Sequence, residues 1–284
     1  MSRLFVNRLT VIDFSYLHGE RGLLGDSLLT DVELVGDLDQ QGMVLDFADV
    51  KKRIKQAIDQ HFDHKLLVPY RHLGLQVEDL PDGRQRLLFP LAPGGAVEHI
   101  APNDAVTLVD TDAITPDTLA NAIRARLLPL MPTNVRELKI RLSPERIDGP
   151  AYQYSHGLKL HDGNCQRIAH GHRSRLLVLR DGEPDAVLTD DWAERWRDIY
   201  IGSREDLAEE TELAGMASYR FRYQAQQGAF ELTLPKARCY LIDTESTVEN
   251  LAQHIAEVLH GEHPDSHFEV QAFEGVDKGA FGEA

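Results

Sequence analysis

The chain has 284 residues, which at roughly 150 residues per domain leaves room for two domains, each able to bury its own core. The 30 Lys and Arg are outnumbered by 46 Asp and Glu, a formal net charge of −16 with no basic run to interrupt it. That excludes nucleic acid and anionic membrane surfaces as partners, because phosphates are bound by clustered cations, but it leaves room for a small anionic substrate in one locally positive pocket.

The N-terminal stretch alternates apolar and polar residues and has no apolar run of signal-peptide or membrane-spanning length, so a cytoplasmic location is expected. Cys165 and Cys239 are the two cysteines. In a reducing compartment they read as structural or reactive thiols and not as a disulfide.

Alternation predicts strands over Arg8 to Phe14 and Thr30 to Val35. Phe47, Val50, Ile54, Ile58 and Phe62 then form one helical face. A second helix follows Thr115, with Pro116 at its first position, and a strand over Leu138 to Leu142 closes this half. The order recurs. Strands are predicted over Ala151 to His156 and Arg173 to Leu179, and a short helix is marked by Trp192, Trp196, Ile199 and Tyr200. A helix capped by Ser246 and Glu249 and a strand over His267 to Phe273 complete the second half.

The halves also match in detail. MVLDFADV from Met43 lies opposite AVLTDDWA from Ala186, DGRQRLLFPL from Asp82 opposite QGAFELTLPK from Gln227, and TLVDTDAITPDTLANAI from Thr107 opposite YLIDTESTVENLAQHI from Tyr240. The expectation is an α+β chain of two tandem β-β-α-(β)-α-β domains, residues 1–147 and 148–284, joined near Ser143 to Pro150. Each carries an extra strand-like segment between its helices, at 70–113 and 205–240.

Chemistry concentrates in residues 151–178. On a strand, His170 and His172 share a face with only Gly171 between them, and His156 at the end of the preceding strand is the candidate third imidazole, with His161 as a competitor. Three His ligands with one open position make a catalytic zinc set.

The order aromatic-x-x-x-His, then Cys, then His-Gly-His opening a strand resembles the 6-pyruvoyl-tetrahydropterin synthase family, including the bacterial 6-carboxy-tetrahydropterin synthases of queuosine precursor synthesis. The resemblance implies the tunnelling fold, an antiparallel sheet with two helices on one face, in two copies. It implies Zn2+ held by His156, His170 and His172, with Cys165 as the proton-abstracting base and Glu274 on the last strand anchoring the pterin ring.

In the first half, FSYLH from Phe14 follows the family's first-strand pattern and keeps His18, but Leu24 and Asp26 stand where the paired His would be, so this domain is degenerate and without the zinc triad. It has instead Asp63-His64, similar to the family's Asp-His relay, for which the second half offers no counterpart near Tyr200 to Arg204. Asp63-His64 could otherwise serve only to cap a helix end.

The complementary losses imply a composite site, with zinc, thiol and pterin anchor from one domain and Asp-His from the other, within one chain or between chains. The implied activity is a zinc-dependent lyase acting on 7,8-dihydroneopterin triphosphate or a related dihydropterin, in a homo-oligomer. A dihydropterin aldolase or epimerase and a non-catalytic pterin-binding scaffold are the alternatives. Urate oxidases and reductases of nitrile-forming pathways also carry tandem tunnelling folds, but without a zinc triad. A triphosphate would need local cations, and Arg167, Arg173 and Arg175 are the nearest.

Overall fold

The computed structural model describes residues 1–284. In the first half, a long hairpin of β1 (Ser2–His18) and β2 (Gly22–Gly36) leads into α1 (Phe47–His61) and β3 (Leu66–Pro69). A meander of β4 (Gln76–Asp79), β5 (Arg84–Pro90) and β6 (Ala96–Pro102) follows, then β7 (Val106–Val109), α2 (Pro116–Leu127) and β8 (Val135–Pro144). The second half repeats this with β9 (Tyr152–His156), β10 (His170–Ser174), β11 (Leu176–Arg180) and a two-residue β12 (Glu183–Pro184). Then come α3 (Ala186–Arg195), β13 (Ile199–Ser203), β14 (Leu207–Leu213), β15 (Met216–Ala225), β16 (Gly228–Pro235), β17 (Cys239–Ile242), α4 (Val248–Glu262), β18 (Phe268–Phe273) and β19 (Gly279–Glu283).

The first sheet has the order β7-β3-β1-β2-β8. β1, β2 and β8 pair antiparallel, as the alternation implies, while the short β3 and β7 extend the sheet in parallel. The second half reproduces this as β17-β13-β9-β10 and, beyond a break at Arg175, β11-β18-β19. The helices cover one face of each sheet: Val50, Ile54 and Ile58 of α1 with Leu119 and Ile123 of α2 bury against Ile12, Phe14, Leu24 and Leu28. Trp192, Leu251 and Ile255 do the same against Tyr152, Tyr154 and Val178.

Local signals explain the helix ends, with two shifts from expectation. Asp46 and Asp185 cap α1 and α3, and Thr115 caps α2 with Pro116 behind it. Thr247, not Ser246, caps α4 by accepting from the Asn250 amide, because Ser246 is occupied by His156. α3 ends at Arg195, and Ile199 and Tyr200 already belong to β13.

The sheet faces without helices meet each other. Ser15 pairs with Gly25 in one hairpin and Ser155 with Gly171 in the other, so these are equivalent positions. The equivalents touch across the contact: Ser15 Oγ lies 2.7 Å from Ser155 Oγ, and Gly25 packs on Gly171. The extra segments form three-stranded meanders that join edge to edge through β6 and β16 into one six-stranded sheet, with His99 directly opposite Leu232. Each of those two stands three residues before the proline (Pro102, Pro235) that leads through a 3-10 turn into β7 or β17. The correspondence of DGRQRLLFPL with QGAFELTLPK is therefore corrected, since β16 corresponds to β6 and not to β5. An approximate two-fold axis relates the halves, and a third core built from both, including Leu17, Leu66, Phe89, Ile168, Phe221 and Leu232, lies along it.

A Cβ at Gly25 would overlap the Tyr154 carbonyl oxygen and the His172 amide, both backbone groups that cannot swing aside. Gly25→Ala is expected to destabilise the chain by at least about 1–3 kcal/mol, read as a lowered denaturant midpoint. An unchanged midpoint would show that the sheets can part freely.

His99 is fully buried, and desolvation lowers its pKa from 6.5 to about 4. The unfolded chain therefore binds a proton that the folded one refuses, so stability falls as pH drops from about 6.5 and levels off near 4, a loss on the order of 3 kcal/mol. His99→Leu, matching its counterpart Leu232, is expected to flatten that limb of the stability curve. No helix is long and apolar enough to cross a membrane.

Candidate metal and relay site

The triad assembles as the strand register dictates. His170 pairs directly with His156, and His172, two residues on, shares their face. All three are buried, with ligand atoms within 4.8 Å of one another. His156 Nδ1 is held by the Ser246 carbonyl at 3.0 Å, and His170 Nδ1 by the Arg167 carbonyl at 3.2 Å. Each bond fixes the Nδ1–H tautomer and leaves Nε2 as a lone-pair donor. Both Nε2 atoms are buried without a partner, a costly arrangement that a divalent cation would relieve. Burial and the neighbouring imidazoles hold both pKa values well below the ordinary His value, so the rings are neutral as metal ligands must be. The donor set fits zinc. His161 is not part of it, since its Nδ1 accepts from the Gly163 amide in its own loop.

The first half supplies the other side of the site within the same chain. His64 lies with its ring centre 5.5 Å from that of His170 and 6.5 Å from that of His172. Asp63 Oδ2 binds His64 Nδ1 at 2.6 Å, and Asp63 Oδ1 accepts from the Asp13 amide at 2.9 Å. The Asp-His pair is thus clamped to β1 and is not a helix cap: the end of α1 is closed by the Phe62 and Asp63 amides on Ile58 O. Burial alone would lower the His64 pKa, but hydrogen bonds to Asp63 and Cys165 raise it to about 10. Cys165, in a short 3-10 turn between β9 and β10, is a free thiol beside His64.

Glu274 follows β18 with its carboxylate 3.9 Å from His172 Nε2, so it too faces the triad. Lys278 stands between Glu274 (3.6 Å) and Asp13 (3.4 Å). Asp13, Ser27 and Lys278 are members of this site that sequence reasoning missed. The available signal was a charged residue between Ile12 and Phe14 in an apolar strand. Asp13 Oδ1 lies 3.3 Å from His172 Nδ1 and accepts from Ser27 Oγ at 2.5 Å. Burial opposes its ionisation, but His172, Lys278 and Ser27 hold it well below the usual carboxylate range. A carboxylate behind a metal-binding imidazole strengthens the ligand. Asp13→Asn is expected to weaken zinc affinity about 10–100-fold, measured by competition with a chromophoric chelator; unchanged affinity would make Asp13 a packing residue only.

Around the two-fold axis the equivalent positions have lost these groups. Tyr16, Leu24 and Asp26 correspond to His156, His170 and His172. His18 is therefore not the counterpart of a zinc ligand, a correction of two residues; its Nδ1 accepts from the Glu20 and Arg21 amides at the hairpin turn. The counterpart of His64 is Asp198, just before β13, and both have left-handed backbones, φ 52° and 58°. Arg21 fills the space, binding Asp198 at 2.8 and 2.5 Å and Gln153 at 2.6 Å. Burial raises the Asp26 carboxyl to about 6.

Of the arginines near the zinc motif, Arg173 donates to the Glu145 carbonyl, and Arg175 pairs with the Glu145 carboxylate while lying over the Phe273 ring. These two are tied to the segment between the halves and are not positioned as free cations for a substrate. Arg167 has no carboxylate partner; it donates to the His64 carbonyl and to Gln227.

Residues 16–147 match the 6-pyruvoyl tetrahydropterin synthase family. No curated protein matches the chain. Among solved structures, 6-pyruvoyltetrahydropterin synthase of Plasmodium vivax is 18% identical with a TM-score of 0.40, covering 50% of this chain and 90% of its own. That of Plasmodium falciparum is 15% identical with a TM-score of 0.41 and the same coverage. The matched segment, a little under half of the chain, is the half that carries Asp63-His64.

Proposed function

We propose that the chain is a zinc-dependent tetrahydropterin synthase-like lyase of the 6-carboxy or 6-pyruvoyl type, acting on 7,8-dihydroneopterin triphosphate or a related dihydropterin, with one composite site drawn from both halves. The observation that carries this reading is the convergence of Asp63-His64 from the first half on the imidazole triad of the second, with Cys165 alongside.

His156, His170 and His172 would hold the zinc. When bound, it supplies Lewis-acid polarisation of an oxygen on the substrate side chain. Glu274 would accept two parallel hydrogen bonds from the pterin amino and ring N–H groups, orienting the bicycle with its side chain toward the triad. Cys165 would remove a proton from a side-chain carbon, and His64, held by Asp63, would hold and return one. Triphosphate would leave by elimination; in the carboxy type, acetaldehyde would leave as well.

The test is incubation of zinc-loaded protein with 7,8-dihydroneopterin triphosphate while following triphosphate and acetaldehyde release. Release of either supports the reading. Bound zinc without turnover of any dihydropterin would favour a pterin-binding scaffold. Assembly into a homo-oligomer belongs to the same reading and is checked by sedimentation.

A further inference from the structure

The meander of the second half, Leu207 to Pro235, contributes no residue to the triad or to the Asp-His pair, yet its β15–β16 turn closes on the loop that carries Cys165. Cys165 is the middle residue of the 3-10 turn Asn164–Gln166, and Gln227, in the two-residue tip of the β15–β16 hairpin, holds the residues on both sides of it. Gln227 Nε2 donates to Asn164 Oδ1 at 2.8 Å, its Oε1 accepts from Arg167 Nε at 3.0 Å, and its backbone amide donates to Gln166 Oε1 at 2.6 Å. Gln166, 1% exposed, turns its Nε2 back onto the His161 and Gly163 carbonyls at 3.3 and 3.0 Å, and its own carbonyl accepts from Tyr223 Oη at 2.8 Å. A Cβ at Gly157 would lie 2.2 Å from that hydroxyl, so a glycine there makes the room that Tyr223 needs.

The hairpin is well anchored for this task. Tyr223 and Phe230 belong to the core that both halves build, together with Ile168 and Ala169 from the end of the loop, and Gly228 backs onto Pro102 of the first half. Arg167 carries the connection onward by donating to the His64 carbonyl at 3.2 Å, so one turn fixes the thiol loop and the relay residue together. The first half lacks the device. Counted back from Pro235 and Pro102, Gln227 corresponds to Gly94, which has no side chain, and the β1–β2 turn beside it, Gly19 to Arg21, contains no cysteine. We propose that Gln227 is a positioning residue that, with Gln166 and Tyr223, holds the Cys165 thiol against the His64 imidazole. Reacting groups lose much of their effect when misplaced by about 1 Å, and a group on a loop keeps its place only through such supporting contacts. The role of Cys165 as a base rests on the function proposed above; its placement by Gln227 does not.

The test is a double-mutant cycle read by thiol alkylation, which needs no turnover. The zinc-loaded full chain is treated with iodoacetamide at about pH 7, near the range where a thiol partly ionises, and modification of Cys165 and Cys239 is followed separately by peptide mass spectrometry. In the wild type, His64→Asn is expected to slow Cys165 alkylation about tenfold, because a thiol loses reactivity with its cationic hydrogen-bond partner. In the Gln227→Ala background the same change should have an effect below about twofold, since the thiol has already left the imidazole. Gln227 is exposed, so its variant is expected to fold, and Cys239 should be alkylated at its wild-type rate throughout. Gln224→Ala, on the exposed side of β15, should leave the full dependence on His64. A His64 effect that persists undiminished in Gln227→Ala overturns the proposal, as does the lack of any His64 effect in the wild type, or a parallel change at Cys239, which would mark general loosening. Where turnover is seen, Gln227→Ala should lower kcat about tenfold with KM within about twofold. Coupling through Gln227 in a protein that turns over no dihydropterin supports the positioning role and removes the lyase reading. Equal turnover in wild type and Gln227→Ala leaves the lyase reading and overturns the positioning role.

Discussion

Replacing His64 by alanine is expected to lower turnover by about 10²–10⁴-fold, the usual contribution of a positioned general acid or base, while zinc content stays at the wild-type level. The separation follows from where the groups sit. The three candidate ligands belong to β9 and β10; the Nδ1 atoms of His156 and His170 are held by the Ser246 and Arg167 carbonyls and Asp13 lies 3.3 Å from that of His172, and none of these needs the His64 ring. The His64 ring is braced by Asp63 and neighbours Cys165, so on the proposed reading its loss removes a proton carrier and leaves the three candidate ligands in place. Because His64 has φ 52°, an alanine there also carries backbone strain. His64→Asn tolerates that conformation and serves as the control: it should fold like the wild type and be as inactive as the alanine variant. Wild-type turnover in either would sink the composite site.

His170→Ala should take bound zinc from about one ion per chain to none, because two imidazoles do not make a stable zinc site, and turnover should fall to background. Added zinc is expected to raise the Tm of the wild type and not that of the variant, since a ligand stabilises only the state that binds it. His170 is the sharpest choice because it is fully buried and its Nε2 has no hydrogen-bond partner in the protein. If the variant keeps both zinc and turnover, the triad is a buried histidine cluster and the ion sits elsewhere.

The elements that sequence revealed best were those with a strong period or an uncommon residue type. Val50, Ile54 and Ile58 of α1, the Thr115-Pro116 cap and the His-Gly-His strand lie where the pattern puts them, whereas Phe47 is exposed and Ile199 and Tyr200 fall in β13. The errors share one physical origin. Tyr16 and His18 sit on the same face of β1, so alternation cannot distinguish them; only pairing to β2 shows that Tyr16 matches a ligand. The same holds for Asp198, whose equivalence to His64 appears in the strand pairing and the shared left-handed backbone. Asp13 was hidden because its partners, His172 and Lys278, lie more than a hundred residues away. The joining of β6 to β16 is invisible to any local pattern, because an edge strand looks the same with or without a neighbour.

The two-fold axis through Ser15 and Ser155 has a further consequence. An isologous dimer of identical chains must carry every feature twice, so two matching sites, or none, would face each other across it. A covalent tandem escapes that constraint: one half can fill its site with Arg21 while the other keeps its imidazoles. The two halves also stay at a fixed and very high effective concentration, so activity per chain should not fall on dilution, as it would for a site shared between dissociable subunits.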